Sequence, residues 1–220
     1  MGCLGGNPNL EKALKGRNQE QQKVIRYFYE DGGCFGGSMS DEEYEGQVMT
    51  RAKSMDFKKK ALGKLGLDED QVKEVEPIHL EGYYYSHKKD KTQTRSLRGK
   101  DDKWRSSAYQ ITWIFLSSTQ VFVYQYTFNM DEDSVKEKTL DYFFKDVTSF
   151  SATSETYESK KYKKSCTGST SDDFELLYHE ANLFILTVPG DKLYCAMELN
   201  DYTERAIQGM KAKLREKKEG

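Results

Sequence analysis

The spacing of apolar residues changes once along the chain, near Pro77, and this change predicts two regions. Before Pro77, apolar residues recur every three or four positions, as they do on one face of an α-helix. After Pro77, apolar and polar residues alternate, as they do in β-strands with one buried face. The pattern therefore predicts an α+β protein, with short helices over residues 1–76 and a strand-rich region over residues 77–220.

Four helical segments are predicted in the first region. The first follows one apolar stripe from Leu10 to Phe28 and is stopped by Gly32-Gly33. A capping box of Ser40 and Glu43 starts the second, because the hydroxyl accepts an early backbone N–H while the Glu side chain reaches back. The inner face of the second helix is Tyr44, Val48, Ala52 and Met55, and that of the third helix is Phe57, Ala61, Leu62 and Leu65. Asp68 with Gln71 marks the start of the fourth helix.

The alternating pattern of the second region predicts seven or eight antiparallel strands. The turn residues Ser117 to Thr119 join two of them in a tight hairpin. The predicted strands lie at residues 78–85, 109–115, 122–128, 136–144, 147–157, 174–179, 183–188 and 193–199. Asp201 and Glu204 predict the cap of a terminal amphipathic helix, whose inward residues are Ala206, Ile207, Met210 and Leu214.

These strands and the terminal helix suggest a strongly bent sheet or a partly open barrel, because a helix with a single apolar stripe can cover the mouth that such a sheet leaves open. Three segments carry soft motifs of such a domain: Tyr109–Thr112, Val121–Tyr124 and Tyr142–Ser149. On these segments and the strand order, the chain resembles bacterial pleckstrin-homology-like (PH-like) domain proteins with a short helical N-terminal region. The resemblance implies a PH-like antiparallel barrel of 7–8 strands capped by the C-terminal helix, and this superfold hosts many unrelated functions.

The resemblance also implies a candidate anion site in the segment that follows the first strand. In lipid-binding pleckstrin-homology domains a basic loop there, with the signature Lys-xn-Lys/Arg-x-Arg, holds headgroup phosphates, and Lys91, Lys103 and Arg105 match that signature by position. Between Lys88 and Arg105 the net charge is +5, and Trp104 is suited to a membrane interface. The alternative is an ordinary solvated loop. The candidate lipid- or phosphate-binding residues are Lys88, Lys89, Lys91, Arg95, Arg98, Lys103, Trp104 and Arg105.

The charge of the whole chain argues against nucleic acid as the partner. The 34 Lys and Arg nearly balance 36 Asp and Glu, which gives a net charge of −2, so any anion site has to be local. A second basic run over residues 160–164 joins the first only if both lie at one end of the domain. Tyr162 and Trp104 could then stack on bases, which keeps nucleic-acid binding as the less favoured alternative.

Residues for catalysis or for a cofactor are hard to nominate. His79, His87 and His179 belong to no metal-ligand or nucleophile motif, and the four cysteines are scattered without a close pair. We therefore expect no enzyme activity, no metal and no cofactor, with Cys195 as a reduced core thiol. The cluster Gly32–Gly37 lacks the lysine of a phosphate loop, and it is interpreted as a hinge.

The sequence thus predicts a non-enzymatic binding or scaffolding module with an unknown protein or peptide partner. The resemblance implies one mode of binding, in which an extended peptide adds as a strand in the groove between the terminal helix and its neighbouring strand. The longest apolar run, ITWIFL, is far shorter than a membrane span, and the N-terminus lacks a secretory pattern. The expected location is the cytoplasm, with the inner membrane surface as an alternative, and the oligomeric state is left open.

Overall fold

The computed structural model describes residues 8–29, 39–72, 75–86, 94–162 and 174–219. The helices are α1 (Pro8–Leu14), α2 (Gln19–Tyr29), α3 (Asp41–Ala52), α4 (Phe57–Leu65) and α5 (Asp201–Glu219), with short 3-10 turns at Glu69–Gln71 and Phe144–Asp146. The strands are β1 (Ile78–Tyr84), β2 (Ser96–Arg98), β3 (Trp104–Ser106), β4 (Ala108–Leu116), β5 (Gln120–Asn129), β6 (Val135–Phe143), β7 (Ser149–Tyr162), β8 (Phe174–Val188) and β9 (Asp191–Ala196). The α+β class predicted from the sequence is confirmed.

The strands form two main antiparallel sheets, ordered β1-β4-β5-β6 and β7-β8-β9, and a separate β2-β3 hairpin. The antiparallel barrel expected from the sequence is not closed among the described residues, because no ladder joins β6 to β7 or β1 to β9. The sheets instead cross where the Glu198 N–H donates to the Glu81 carbonyl, at 2.9 Å. At this crossing the backbone of Met197 comes so close to Gly82 that an added Cβ would lie 3.1 Å from it.

Two features of the predicted strands are corrected. Residues 174–179 and 183–188 belong to the single strand β8, because Glu180 to Asn182 continue the ladder opposite Ser154 to Thr156. The second correction concerns β2 and β3, which lie within a segment that was expected to be a loop. Their hairpin turns at Gly99 to Asp102, where Asp102 adopts a left-handed conformation with φ of 63°.

The single long N-terminal helix expected from the apolar stripe is two helices. Gly16 has φ of +76°, which ends the first helix, and the Asn18 side chain accepts the Gln21 N–H at 2.9 Å to start the second. The predicted Ser40 cap of α3 is confirmed, with the Glu43 N–H donating to the hydroxyl at 3.1 Å. Met55 lies beyond the end of α3 and is 42% exposed, so its place on the inner face was wrong.

The apolar residues form two cores. The inner core lies between the two sheets and α5, and it contains Cys195 as predicted. The outer core lies between α2 to α4 and the opposite face of the four-stranded sheet, and its sheet residues include Tyr109, Ile111, Phe115, Tyr124 and Phe128. The helical region therefore shares a core with the sheet instead of packing only on itself.

The terminal helix closes the inner core with Ile207, Met210 and Leu214. Its first turn is held by Asn200, whose side chain accepts the Thr203 N–H at 3.0 Å, while the Thr203 hydroxyl accepts the Asn200 N–H. The expected cap from Asp201 and Glu204 is therefore displaced by one residue. None of the helices in the described part of the chain is long and apolar enough to cross a membrane.

Candidate functional site

The basic segment predicted as an anion site is only partly within the described residues. Lys88, Lys89 and Lys91 lie outside them. Arg98 ends β2, and Trp104 and Arg105 start β3, while Arg95 and Lys103 directly precede the two strands. The described candidates therefore lie on or next to the paired strands of the hairpin.

Arg105 is a buried structural residue of this hairpin. Only 2% of its side chain is exposed, and its two terminal nitrogens donate to Asp101 at 2.8 Å and to Glu45 of α3 at 3.0 Å. The hydrogen bonds from Arg105 hold the pKa of Asp101 well below its ordinary value, and the same bonds raise the pKa of Arg105. Because these donors already serve protein carboxylates, Arg105 joins the hairpin to α3 and is not exposed to an external anion.

The other described cations of the candidate site also lie beside carboxylates. Arg95 donates to buried Asp131 at 2.7 Å and to the Tyr29 hydroxyl at 3.0 Å. The exposed pairs are looser, with 3.3 Å between Arg98 and Asp102 and 4.0 Å between Lys103 and Asp101. Asp131 and Glu45 come from outside the segment and therefore offset part of the positive charge counted from the sequence, which already included Asp101 and Asp102.

Trp104 stacks on a side chain of the second sheet instead of extending into solvent. Its ring centroid lies 4.3 Å from that of His179 on β8, and Ser96 of β2 is hydrogen-bonded to Ser159 of β7. The hairpin thus packs on the extended part of the β7-β8 pair. Because Lys160 follows Ser159 directly, the start of the second basic run lies beside the hairpin, although the side chains of that run are outside the described residues.

A groove that the sequence analysis did not identify runs along α5. It has a volume of about 560 Å³ and lies between α5 and the chain that enters β1. Its lining on the α5 side is Tyr202, Arg205, Ala206, Gly209, Met210, Ala212, Lys213 and Glu216, and on the other side Val75, Glu76, Pro77, Ile78 and Leu116. Most of this lining is apolar or small, with charged groups among it.

The width of the groove comes from small residues on α5. Ala206, Gly209 and Ala212 recur at helical spacing, and a Cβ added to Gly209 would meet nothing within 4 Å. The lining extends from Tyr202 to Glu216, which is roughly 21 Å of helix at about 1.5 Å per residue. The one sequence feature that indicates the groove is the set of small residues between the charged positions of α5.

The groove carries one charge of each sign that no described residue neutralises. Lys213 is paired with Glu216 at 3.0 Å. Among the residues that the structure describes, neither Arg205 on α5 nor Glu76 on the opposite side has an oppositely charged group within 4 Å. These two side chains are therefore available to a bound molecule.

The edge of β1 next to the groove is partly closed. The His79 N–H donates to the hydroxyl of Tyr202 at 3.1 Å, and the Glu81 carbonyl accepts from Glu198. A peptide strand added at these positions would have to displace both partners. The strand addition expected beside the terminal helix is therefore obstructed on β1.

The described residues place one hydroxyl on an imidazole, with 3.3 Å between the Ser159 hydroxyl and Nδ1 of His179, but both side chains are buried and neither lines the groove. His79 lies 3.5 Å from Glu81 and stacks on Trp113, but no described hydroxyl or thiol is hydrogen-bonded to its ring. Burial raises the pKa of the Cys195 thiol to about 12, so that thiol is unreactive. No three His, Cys, Asp or Glu side chains of the described residues are placed to hold a metal ion.

The groove along α5 is thus a concave, mostly apolar surface with available charges, whereas the described arginines of the basic hairpin lie beside carboxylates. Comparisons of the chain with protein-family models, with curated proteins and with solved structures give no match, so its function is inferred from this geometry.

Proposed function

We propose that this protein is a non-enzymatic binding module that accepts a segment of a partner protein in the groove along α5. The observation that carries the proposal is the groove itself, about 560 Å³ of mostly apolar space beside an exposed small-residue face of a helix. Ligand sites in proteins typically enclose about 300–1,000 Å³ and combine apolar walls with a few polar groups. The dimensions therefore fit a site for several apolar side chains.

A protein segment fits this groove better than a fatty acid. The lining runs along roughly 21 Å of helix. Arg205 and Glu76 offer opposite charges on its two sides. A fatty acid supplies a carboxylate for Arg205 but no cation for Glu76, whereas a peptide can supply both. The partner is therefore a polypeptide with apolar side chains flanked by charges.

Selection from an unbiased peptide library tests this function. The probe is a phage-displayed library of random peptides of about 12 residues, panned on the immobilised full-length protein. A Gly209→Leu variant adds a side chain to the groove lining, its Cβ would meet nothing within 4 Å, and Leu is favoured over Gly in a helix by roughly 0.5–1 kcal/mol. We expect wild-type binders to lose at least about tenfold in affinity for this variant.

Gly46→Leu is the matched control, because Gly46 is also an exposed helical glycine with open space around its Cα. Peptides selected on the wild type should bind Gly46→Leu unchanged. The proposal is overturned if no peptide is selected, or if the selected peptides bind Gly209→Leu as tightly as the wild type.

We also propose that residues 77–220 have a PH-like arrangement. The support is a four-stranded antiparallel sheet followed by a three-stranded sheet and a C-terminal helix over their shared core. In that arrangement the groove lies at the helix-covered end of the domain. An experimental structure of the full chain, compared with PH-like domains, tests this assignment.

The predicted anion-binding role of the basic hairpin stays a separate prediction. Co-sedimentation with anionic and neutral vesicles at about 0.15 M salt tests it. The informative variant changes Arg98 and Lys103 to Ala, because both are exposed, and it leaves buried Arg105 intact. Selective binding to anionic vesicles that this variant abolishes would make the hairpin a second site.

A further inference from the structure

We infer that the segment bound in the groove is a short amphipathic helix that places a carboxylate against Arg205 and a cation against Glu76. This inference rests on the proposed function and adds the conformation and the charge order of the partner. It follows from three features of the groove: the state of the β1 edge, the small face of α5, and the two available charges.

The state of the β1 edge favours a helix over an extended strand. An extended peptide gains affinity from main-chain hydrogen bonds to a free strand edge. The His79 N–H and the Glu81 carbonyl, which would make those bonds, are already occupied by Tyr202 and Glu198. A helix satisfies its own backbone and needs only side-chain contacts, so it is the conformation that this partly closed edge favours.

The face of α5 favours a second helix for a steric reason. Ala206, Gly209 and Ala212 lie along the groove at helical spacing and carry little or no side chain. Helices pack at axial separations of about 8–10 Å, and the shorter separations require small residues at the contact. The apolar residues of the incoming helix can then reach Ile78 and Leu116 on the other side of the groove.

The charge order follows from the two available groups. Arg205 belongs to α5 and Glu76 to the chain opposite it, so a helix lying between them faces opposite charges on its two flanks. Lys213 contributes less to the order, since Glu216 already pairs with it. The favoured helix therefore carries acidic residues on the flank toward α5 and basic residues on the flank toward Glu76.

A patterned peptide library tests the helical conformation and the charge order of the bound segment. Peptides of about 16 residues carry aliphatic residues at i, i+3, i+4 and i+7 spacing, with the flanking positions randomised among Glu, Lys and Gln. Selection on the wild-type protein should enrich Glu on one flank and Lys on the other. The Arg205→Glu variant should bind these peptides about tenfold more weakly and should select Lys in place of Glu on the flank facing α5.

A proline placed in the middle of a selected peptide tests the conformation, because it breaks a helix but is tolerated in many extended segments. The inference holds if proline abolishes binding and if the charge order reverses with Arg205→Glu. It is overturned if binders sensitive to Gly209→Leu tolerate the proline, or if their charges are indifferent to Arg205→Glu. In that outcome the groove still binds peptides, so the proposed function survives, whereas a lack of any Gly209-sensitive binder removes both.

Discussion

The indole of Trp104 stacks on the imidazole of His179, with ring centroids 4.3 Å apart and planes at 18°. Tyr85 and Tyr157 complete an aromatic enclosure around the same imidazole, at 4.4 Å and 5.8 Å. His179 is 5% exposed, and its Nε2 has no hydrogen-bond partner in the described structure. Aromatic packing, more than charge, therefore joins the β2-β3 hairpin to the β7-β8 pair.

This enclosure makes stability depend on pH. Burial lowers the pKa of His179 from about 6.5 to about 4. Below pH 6.5 His179 is protonated in the unfolded chain but stays neutral in the folded chain. The free energy of unfolding therefore falls as the pH falls from about 6.5 to about 4. At about 1.4 kcal/mol per pKa unit, we expect a loss of up to about 3 kcal/mol.

Urea unfolding between pH 7 and pH 4 measures this loss, with His179→Phe as the comparison. Phenylalanine keeps the aromatic packing and cannot titrate, so its unfolding free energy should depend less steeply on pH than that of the wild type. Identical pH profiles for the two proteins would show that His179 does not titrate in this way.

Arg105 and Lys103 are neighbours in the sequence with different expected contributions to stability. Arg105→Met leaves Asp101 and Glu45 without their buried donor, but both carboxylates can still reach water. We therefore expect a loss of about 1–3 kcal/mol, less than for a fully buried pair. Lys103→Met removes only an exposed contact of 4.0 Å and should cost less than about 0.5 kcal/mol. Equal losses in thermal or urea unfolding would contradict the structural role of Arg105.

Gly82 lies where the two sheets cross, and its lack of a Cβ allows their backbones to come close. A Cβ at this position would lie 3.1 Å from the Met197 carbonyl carbon. A backbone atom cannot relieve this contact by rotating away, as a flexible side chain can. We expect Gly82→Ala to destabilise the protein by about 1–3 kcal/mol. Gly63→Ala in α4 is the control, because its Cβ meets nothing within 4 Å and helix propensity should make it stabilising. Urea midpoints of the two variants should therefore shift in opposite directions.

The helix caps and strands were predictable where local chemistry decides them. Ser40 starts α3 as the sequence predicts, and glycine is the residue typical of the left-handed position that ends α4 at Gly66, since both depend on adjacent backbone groups alone. The break at Gly16 and the continuity of β8 were missed. In β8 the partner strand β7 supplies the ladder that carries Glu180 to Asn182 through a polar stretch, and no local pattern contains that information.

The site was less predictable than the fold. Basic residues near Arg105 suggested an anion site, but their carboxylate partners include Glu45 and Asp131, which are 60 and 36 residues away in the chain from Arg105 and Arg95. The groove depends on how α5 lies against the entry to β1, with Gly209 facing open space. Long-range placement of this kind is set by tertiary packing, which hydrophobic periodicity does not specify.

The shared outer core predicts that residues 77–220 aggregate when they are produced without residues 1–76. Removing residues 1–76 would uncover sheet residues that are at most 1% exposed in the full chain, namely Tyr109, Ile111, Phe115, Tyr124 and Phe128. A contiguous aromatic surface of this kind promotes association. We expect the 77–220 fragment to aggregate in size-exclusion chromatography, whereas a chain lacking only residues 1–16 should stay soluble, because the outer core begins at Val24. A monomeric 77–220 fragment with cooperative thermal unfolding would instead show that the helices are an independent addition to the strand domain.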